Sequence, residues 1–137
     1  MKKFRIGLLL VFGVALLSVS AFAQSSHVTK TSIPFAFYAG KTEMPPGTYT
    51  LRVADNARQL LLQNADGSAV TFLEAQLEDT SNALRPALRF DQLGNTYFLR
   101  VATNSDQEFY LSKSKLQKQM EREGMVAQNE TLSTNGL

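Results

Sequence analysis

The 137-residue chain contains no cysteine. Thiol nucleophiles, CxxC redox chemistry and cysteine zinc sites are thereby excluded. No disulfide can brace the fold in an oxidising compartment, so its stability must come from apolar packing. Histidine occurs once, as His27, and without a second histidine or a thiol a transition-metal centre would have to be built from carboxylates. The plainer reading of His27 is a side chain in a polar lead-in. No DxDxDG loop offers a calcium site and no GxSxG a nucleophile elbow. Ser25, Ser26 and Ser32 therefore stand without catalytic context. Charge of one sign is also scarce. Fourteen Lys and Arg face 12 Asp and Glu, and three of the basic residues are Lys2, Lys3 and Arg5. Without those three, 11 bases face 12 acids, a balance of about −1 that gives no warrant for nucleic-acid binding.

Long hydrophobic runs are limited to one, residues 6–17, interrupted only by Gly7 and Gly13. It follows the three basic residues and precedes Ala21-Phe22-Ala23, a small-x-small cleavage pattern. The expectation is a secretory signal peptide over residues 1–23, cut between Ala23 and Gln24, with export through the Sec pathway to the periplasm or the exterior. A core of about a dozen apolar residues is shorter than the roughly 20 of a membrane-spanning helix, so no span is expected after cleavage. No cysteine follows to carry a lipid. The mature chain of 114 residues, 24–137, suits one domain able to bury about two thirds of its unfolded surface.

What is present from Ile33 onward is a succession of short β-branched and aromatic runs divided by Gly, Pro, Asn and Asp. Phe35 and Phe37 share one face of an extended segment closed by Ala39-Gly40-Lys41. Tyr49, Leu51 and Val53 alternate with Thr48, Thr50 and Arg52, as in a strand with one wet face. Asp55 to Arg58 reads as a turn. Residues 59–63 form a leucine-rich strand, and Asn64-Ala65-Asp66-Gly67 has hairpin-turn chemistry. Residues 78–82 read as a polar loop, and residues 84–90 as a strand that Pro86 places at an edge or start. Gly94-Asn95 joins this to residues 96–102, where Tyr97, Leu99 and Val101 oppose Phe98 and Arg100. A short strand at 108–111 runs into a helix whose Ser114 and Gln117 form a capping box and whose stop is Gly124. Leu116 and Met120 give that helix a narrow apolar stripe for docking on a sheet. The predicted organisation is a flexible lead-in at 24–32, a β-rich domain at 33–126 and a disordered tail at 127–137. The predicted fold is mainly β, an antiparallel β-sandwich or small barrel of about seven strands with one C-terminal helix.

Ile33-Pro34-Phe35-Ala36-Phe37-Tyr38-Ala39-Gly40, followed by Met44-Pro45-Pro46-Gly47-Thr48-Tyr49-Thr50-Leu51, resembles a group of small exported β-rich proteins common in acidobacteria. Members carry a PFxF segment and then an LPAGTY-like turn. The Leu60-Leu61-Leu62 run, Tyr97-Phe98-Leu99 and Leu111-Ser112-Lys113-Ser114 extend the likeness over residues 33–123, with Met44-Pro45-Pro46 standing where Leu-Pro-Ala is usual and Ser112 where Pro is usual. The resemblance implies export and a β fold and carries over no catalytic residue or cofactor. Independently of it, Pro46 presets a turn and Gly47 is free to take a positive φ there.

Candidate chemistry is sparse. Glu78 with Asp79 and Asp106 with Glu108 are the acid pairs, and a glycosidase would need two such groups facing across a cleft. Solvated loop acids are the plainer reading. Asn129-Glu130-Thr131 matches a glycosylation sequon by chance. Arg52, Arg89 and Arg100 take the outward phase of aromatic-bearing strands and would form, with Tyr38 and Phe98, a face able to stack on sugars or hold acidic groups. Against this stands ordinary cross-strand pairing of the arginines with Glu43 or Glu74. Phe98 leaves its strand apolar on both sides, so the strand is central or is covered by the helix. The sequence thus points to a non-enzymatic binding or structural module of the bacterial envelope, without cofactor or metal. A glycan-binding face is the second reading and a hydrolase a distant third. An envelope glycan or envelope protein is the expected partner, and a homodimer paired through an open sheet edge is credible.

Overall fold

Period-two alternation carries most of the chain into strands. The computed structural model describes residues 28–54, 58–68, 70–79, 85–104 and 107–136. The signal segment, the Ala23/Gln24 cleavage point, His27, most of the turn expected at 55–58 and Asp106 lie outside them. Among the described residues there are eleven strands and one helix, in the order β1 (Val28–Ile33), β2 (Phe37–Ala39), β3 (Thr42–Met44), β4 (Gly47–Val53), β5 (Gln59–Asn64), β6 (Val70–Asp79), β7 (Ala87–Leu93), β8 (Thr96–Thr103), β9 (Gln107–Leu111), α1 (Lys115–Arg122), β10 (Gln128–Ser133) and β11 (Asn135–Gly136). No helix of the described residues is long and apolar enough to cross a membrane.

The strands form one open mixed sheet in the order β10-β7-β8-β9-β6-β5-β4-β1-β11, with β2 and β3 branching from β8. Pairing is antiparallel except between β2 and β8, which run parallel through Phe37↔Tyr97 and Tyr38↔Phe98. β6 changes partner along its length: Val70 to Glu74 pair with β5, and Ala75 to Asp79 pair with β9. β8 does the same on one edge, giving Tyr97 and Phe98 to β2 and Val101 to Thr103 to β9. Leu93 pairs directly with Thr96, leaving Gly94-Asn95 as a two-residue turn in which Gly94 takes φ 60°.

One core collects side chains from both halves of this path, so the sheet folds over on itself. Ile33, Tyr49, Leu60 and Leu62 come from one half, and Phe90, Leu99, Ala102 and Phe109 from the other. Phe37 joins them, with its ring centroid 5.3 Å from Tyr49 and 5.5 Å from Phe90, both edge-on. Phe35 stacks on Tyr97 at 3.8 Å and meets Phe90 at 5.1 Å, as its shared phase with Phe37 requires.

The expectations of about seven strands and of antiparallel pairing throughout are corrected by this count and by the β2–β8 pair. The added strands are those with little apolar alternation. β1 occupies most of the segment expected as lead-in, and β10 and β11 occupy the expected tail, 127–137. Every side chain of β10 except half-buried Leu132 is exposed. A strand held by its backbone at a sheet edge needs no apolar phase, so nothing in its composition announces it. β10 pairs with β7 over six positions and β11 pairs with β1 at Thr29 and Lys30. A single run of chain therefore lines both ends of the sheet, and between its two strands the Thr134 amide donates to the Pro86 carbonyl at 2.9 Å.

The Pro45-Pro46-Gly47 turn is fixed by the side chain that follows it. Tyr49 is fully buried and its hydroxyl donates back to the Pro45 carbonyl. Gly47 is not among the glycines with positive φ, and a Cβ placed on it would meet only ordinary contacts, so left-handed geometry does not explain this glycine. Burial raises the Tyr49 phenol above its ordinary value, with Asp66 adding to the rise and Asn64 opposing it. The folded state then holds that proton more firmly than the unfolded chain does. This stabilisation is complete below the ordinary phenol value of about 10 and is lost as pH climbs through the raised one. Tyr49→Phe should flatten the alkaline decline in urea-unfolding stability above about pH 10, Tyr110 supplying the remainder. Deletion of residues 128–137 should lower Tm by on the order of 10 °C and promote self-association through the bared β7 and β1 edges, read by calorimetry and light scattering.

Candidate functional site

The face of β7, β8 and β2 turned away from the core is set by register. Asp91 lies opposite Phe98, Phe98 beside Tyr38, and Tyr38 opposite Glu43, so these four form one row across the sheet. Tyr38 and Phe98 stack at 5.4 Å with 22° between ring planes. A bulge interrupts the next row: Arg89 pairs with Val101 but Phe90 pairs with Leu99, leaving Arg100 as an extra residue of β8. Leu99 and Val101, expected on one face, are divided by it. Leu99 joins the core cluster, whereas Val101 is buried outside that cluster.

Helix α1 covers this face through a polar side chain. Gln117 is 1% exposed, and its Nε2 donates to Asp91 Oδ2 at 2.6 Å. Arg100 Nε donates to the same oxygen at 3.1 Å. Gln117 also reaches Glu121 at 3.3 Å, and Lys113 Nζ grips both Glu121 oxygens at 2.8 and 2.9 Å. The bond from Lys113 holds the Glu121 carboxyl below the ordinary carboxylate value. The expected capping box is half present. Ser114 Oγ accepts from the Gln117 amide at 3.1 Å, but the Gln117 side chain turns to Asp91 instead of back to the cap. The expected Leu116 and Met120 stripe is not the docking surface, since Leu116 is 40% exposed.

The proposed stripe of arginines and aromatics is thus redistributed. Tyr38, Phe98 and Arg100 come together, but Phe98 is 2% exposed and Arg100 is engaged by Asp91 rather than by Glu43 or Glu74. Arg89 stands farther along the same face, where its charge lowers the phenol of Tyr110 against the stronger raising effect of Glu108. Arg52 is exposed on β4 beside Leu61, in the other half of the sheet. Among the candidate acids, Glu78 and Glu108 are direct cross-strand neighbours, and the Tyr110 hydroxyl donates to Glu108 at 2.9 Å. Asp79 sits in β6 opposite Gln107. Neither Glu78 nor Glu108 lines the Tyr38 groove described next or the smaller depressions beside Glu74 and Leu51. No group of three His, Cys, Asp or Glu among the described residues could hold a metal.

An open groove begins at Tyr38, and its origin is topological. β9 ends at Leu111 opposite Ala75, so the first half of β6 has no strand on that side. The β2–β3 hairpin approaches there but touches β6 through side chains, with Thr71 Oγ1 3.5 Å from Thr42 Oγ1. Gly40 makes the hairpin turn at φ 61°, and a Cβ on it would stand 3.3 Å from Leu73 Cδ2, so the close approach and the backbone both call for glycine. Buried Ala39, Leu73 and Leu111 form the floor. Tyr38, Leu116 and the lysines 41, 113 and 115 stand around it, with Glu74 as the one carboxylate. Sequence reasoning found Tyr38 but not the lysines, because three separated stretches of chain supply this rim and no local motif joins them. No family model, curated protein or solved structure matches this chain.

Replacing Asp91 by Ala removes the acceptor shared by Arg100 and Gln117 and should cost about 2–3 kcal/mol in urea denaturation. Asp91→Asn keeps one acceptor oxygen and should cost less. Equal losses in the two variants would show that the shared bonds do not hold the helix.

Proposed function

We propose that this chain is an exported, non-enzymatic binding module of the bacterial cell envelope and that it binds through the Tyr38 groove. The observation that carries the reading is a tyrosine ring, backed by buried Phe98, at the mouth of a groove with a buried apolar floor and a hydroxyl- and lysine-bearing rim. Such a surface offers flat apolar area with a few convergent polar groups, which is the chemistry of a binding site. Export is supported by the basic n-region and apolar run of the first 23 residues and by the likeness of residues 33–123 to small exported acidobacterial proteins. For the finer architecture we read a sandwich folded about β6, because that strand serves two ladders in turn.

A second reading, a glycan-binding module, is favoured by the Tyr38 ring on the groove, held in place by its stack on buried Phe98, since pyranose rings lie well on aromatic surfaces. In this form it relies on Tyr38 and the groove, with Arg100 withdrawn into its bond with Asp91. The mature chain, residues 24–137, contains every described element and is the material to test. Titrated with peptidoglycan fragments and envelope polysaccharides, it should show a concentration-dependent rise in Tm that Tyr38→Ala diminishes. No rise with any polymer would overturn the glycan reading and direct attention to protein partners, sought by pull-down from the envelope fraction.

A further inference from the structure

We propose that the Tyr38 groove takes a carboxylate-bearing glycan, a chain of uronic acid residues, and that Lys41 and Lys115 read its carboxylates. This deepens the glycan-binding reading and rests on it. The charge of the groove is the first support. Its rim carries Lys41, Lys113 and Lys115 against Glu74 alone, in a mature chain whose overall balance is about −1. The excess is therefore local. Lys113 is committed to Glu121, whereas Lys41 and Lys115 make no ion pair with any described residue. They come from separate elements, Lys41 from the β2–β3 turn and Lys115 from the start of α1, and both line the groove, so a ligand in it would meet two cations.

The shape of the seam is the second support. An extended peptide would be recognised by adding a strand to an open edge. Between β3 and β6 the two edges already touch through Thr42 and Thr71, which leaves no slot for a further strand. Recognition here must come from side chains. The exposed hydroxyls of Thr42 and Ser112, the Tyr38 ring and the apolar floor suit a sugar chain, and the free lysines suit one bearing carboxylates.

Binding of a defined oligogalacturonate to the mature chain, compared with its methyl ester and with a neutral cello-oligosaccharide of equal length, tests this by calorimetry. The acid form should bind about tenfold more tightly than the ester, and that margin should shrink as salt shortens the screening length below about 8 Å. Lys41→Gln with Lys115→Gln should erase the margin while leaving binding of the ester, and Tyr38→Ala should weaken both forms. Arg52→Gln, outside the groove, should change nothing. Equal affinity of the wild type for acid and ester, or an undiminished margin in the double lysine variant, would overturn the proposal with glycan binding intact. Failure of all three sugars to bind would overturn the glycan reading itself.

Discussion

The shortness of β9 governs the middle of this molecule. Five residues long, it lies between the ten of β6 and the eight of β8 and matches neither. Backbone donors and acceptors left bare on a neighbouring strand must find other partners or water. On β8 the vacated edge is taken by β2, which runs parallel to it. On β6 the vacated edge is met by side chains of the β2–β3 hairpin, and a groove remains. The parallel pair, the aromatic stack built on it and the groove are thus three results of one mismatch in strand length.

The helix is held to the sheet by polar chemistry where apolar packing would be the ordinary expectation. Asp91, Arg100 and Gln117 share one carboxylate oxygen beneath α1, and the bulge at Arg100 points that side chain to the shared oxygen. Such an arrangement adds little net stability over an apolar contact of the same volume, because removing charges from water is costly. It does dictate where the helix sits. A sliding apolar stripe would tolerate several positions, whereas a shared carboxylate tolerates one. The start of α1, with Lys115 and Leu116 on the groove rim, is positioned by that anchor.

How far the sequence foretold this depends on whether each element must bury a face. β4, β7 and β8 were legible because their alternation is the imprint of one dry side. β1, β10 and β11 were not, since polar side chains on an edge strand leave no such imprint. The phase of Val101 was misjudged because a bulge shifts register without any residue type that marks it. Gln117 was legible as a helix cap but not as the helix anchor, which depends on Asp91, a residue 26 positions earlier. At the groove, Tyr38 stood out by its aromatic neighbourhood, while Lys41 and Lys115 belong to ordinary polar stretches until the fold brings them together.

The pairing of Thr29 with Gly136 joins residues 107 positions apart. Closing so long a loop carries an entropic cost that two pairs of backbone partners repay poorly by themselves, so this contact is made after the intervening ladders have shortened the gap. With most of its remaining pairings also distant in sequence, the chain belongs among slow folders, in the range of milliseconds to seconds. Until the final register forms, the outer edges of β7 and β1 are both bare, and during that interval the molecule is most exposed to joining another copy of itself.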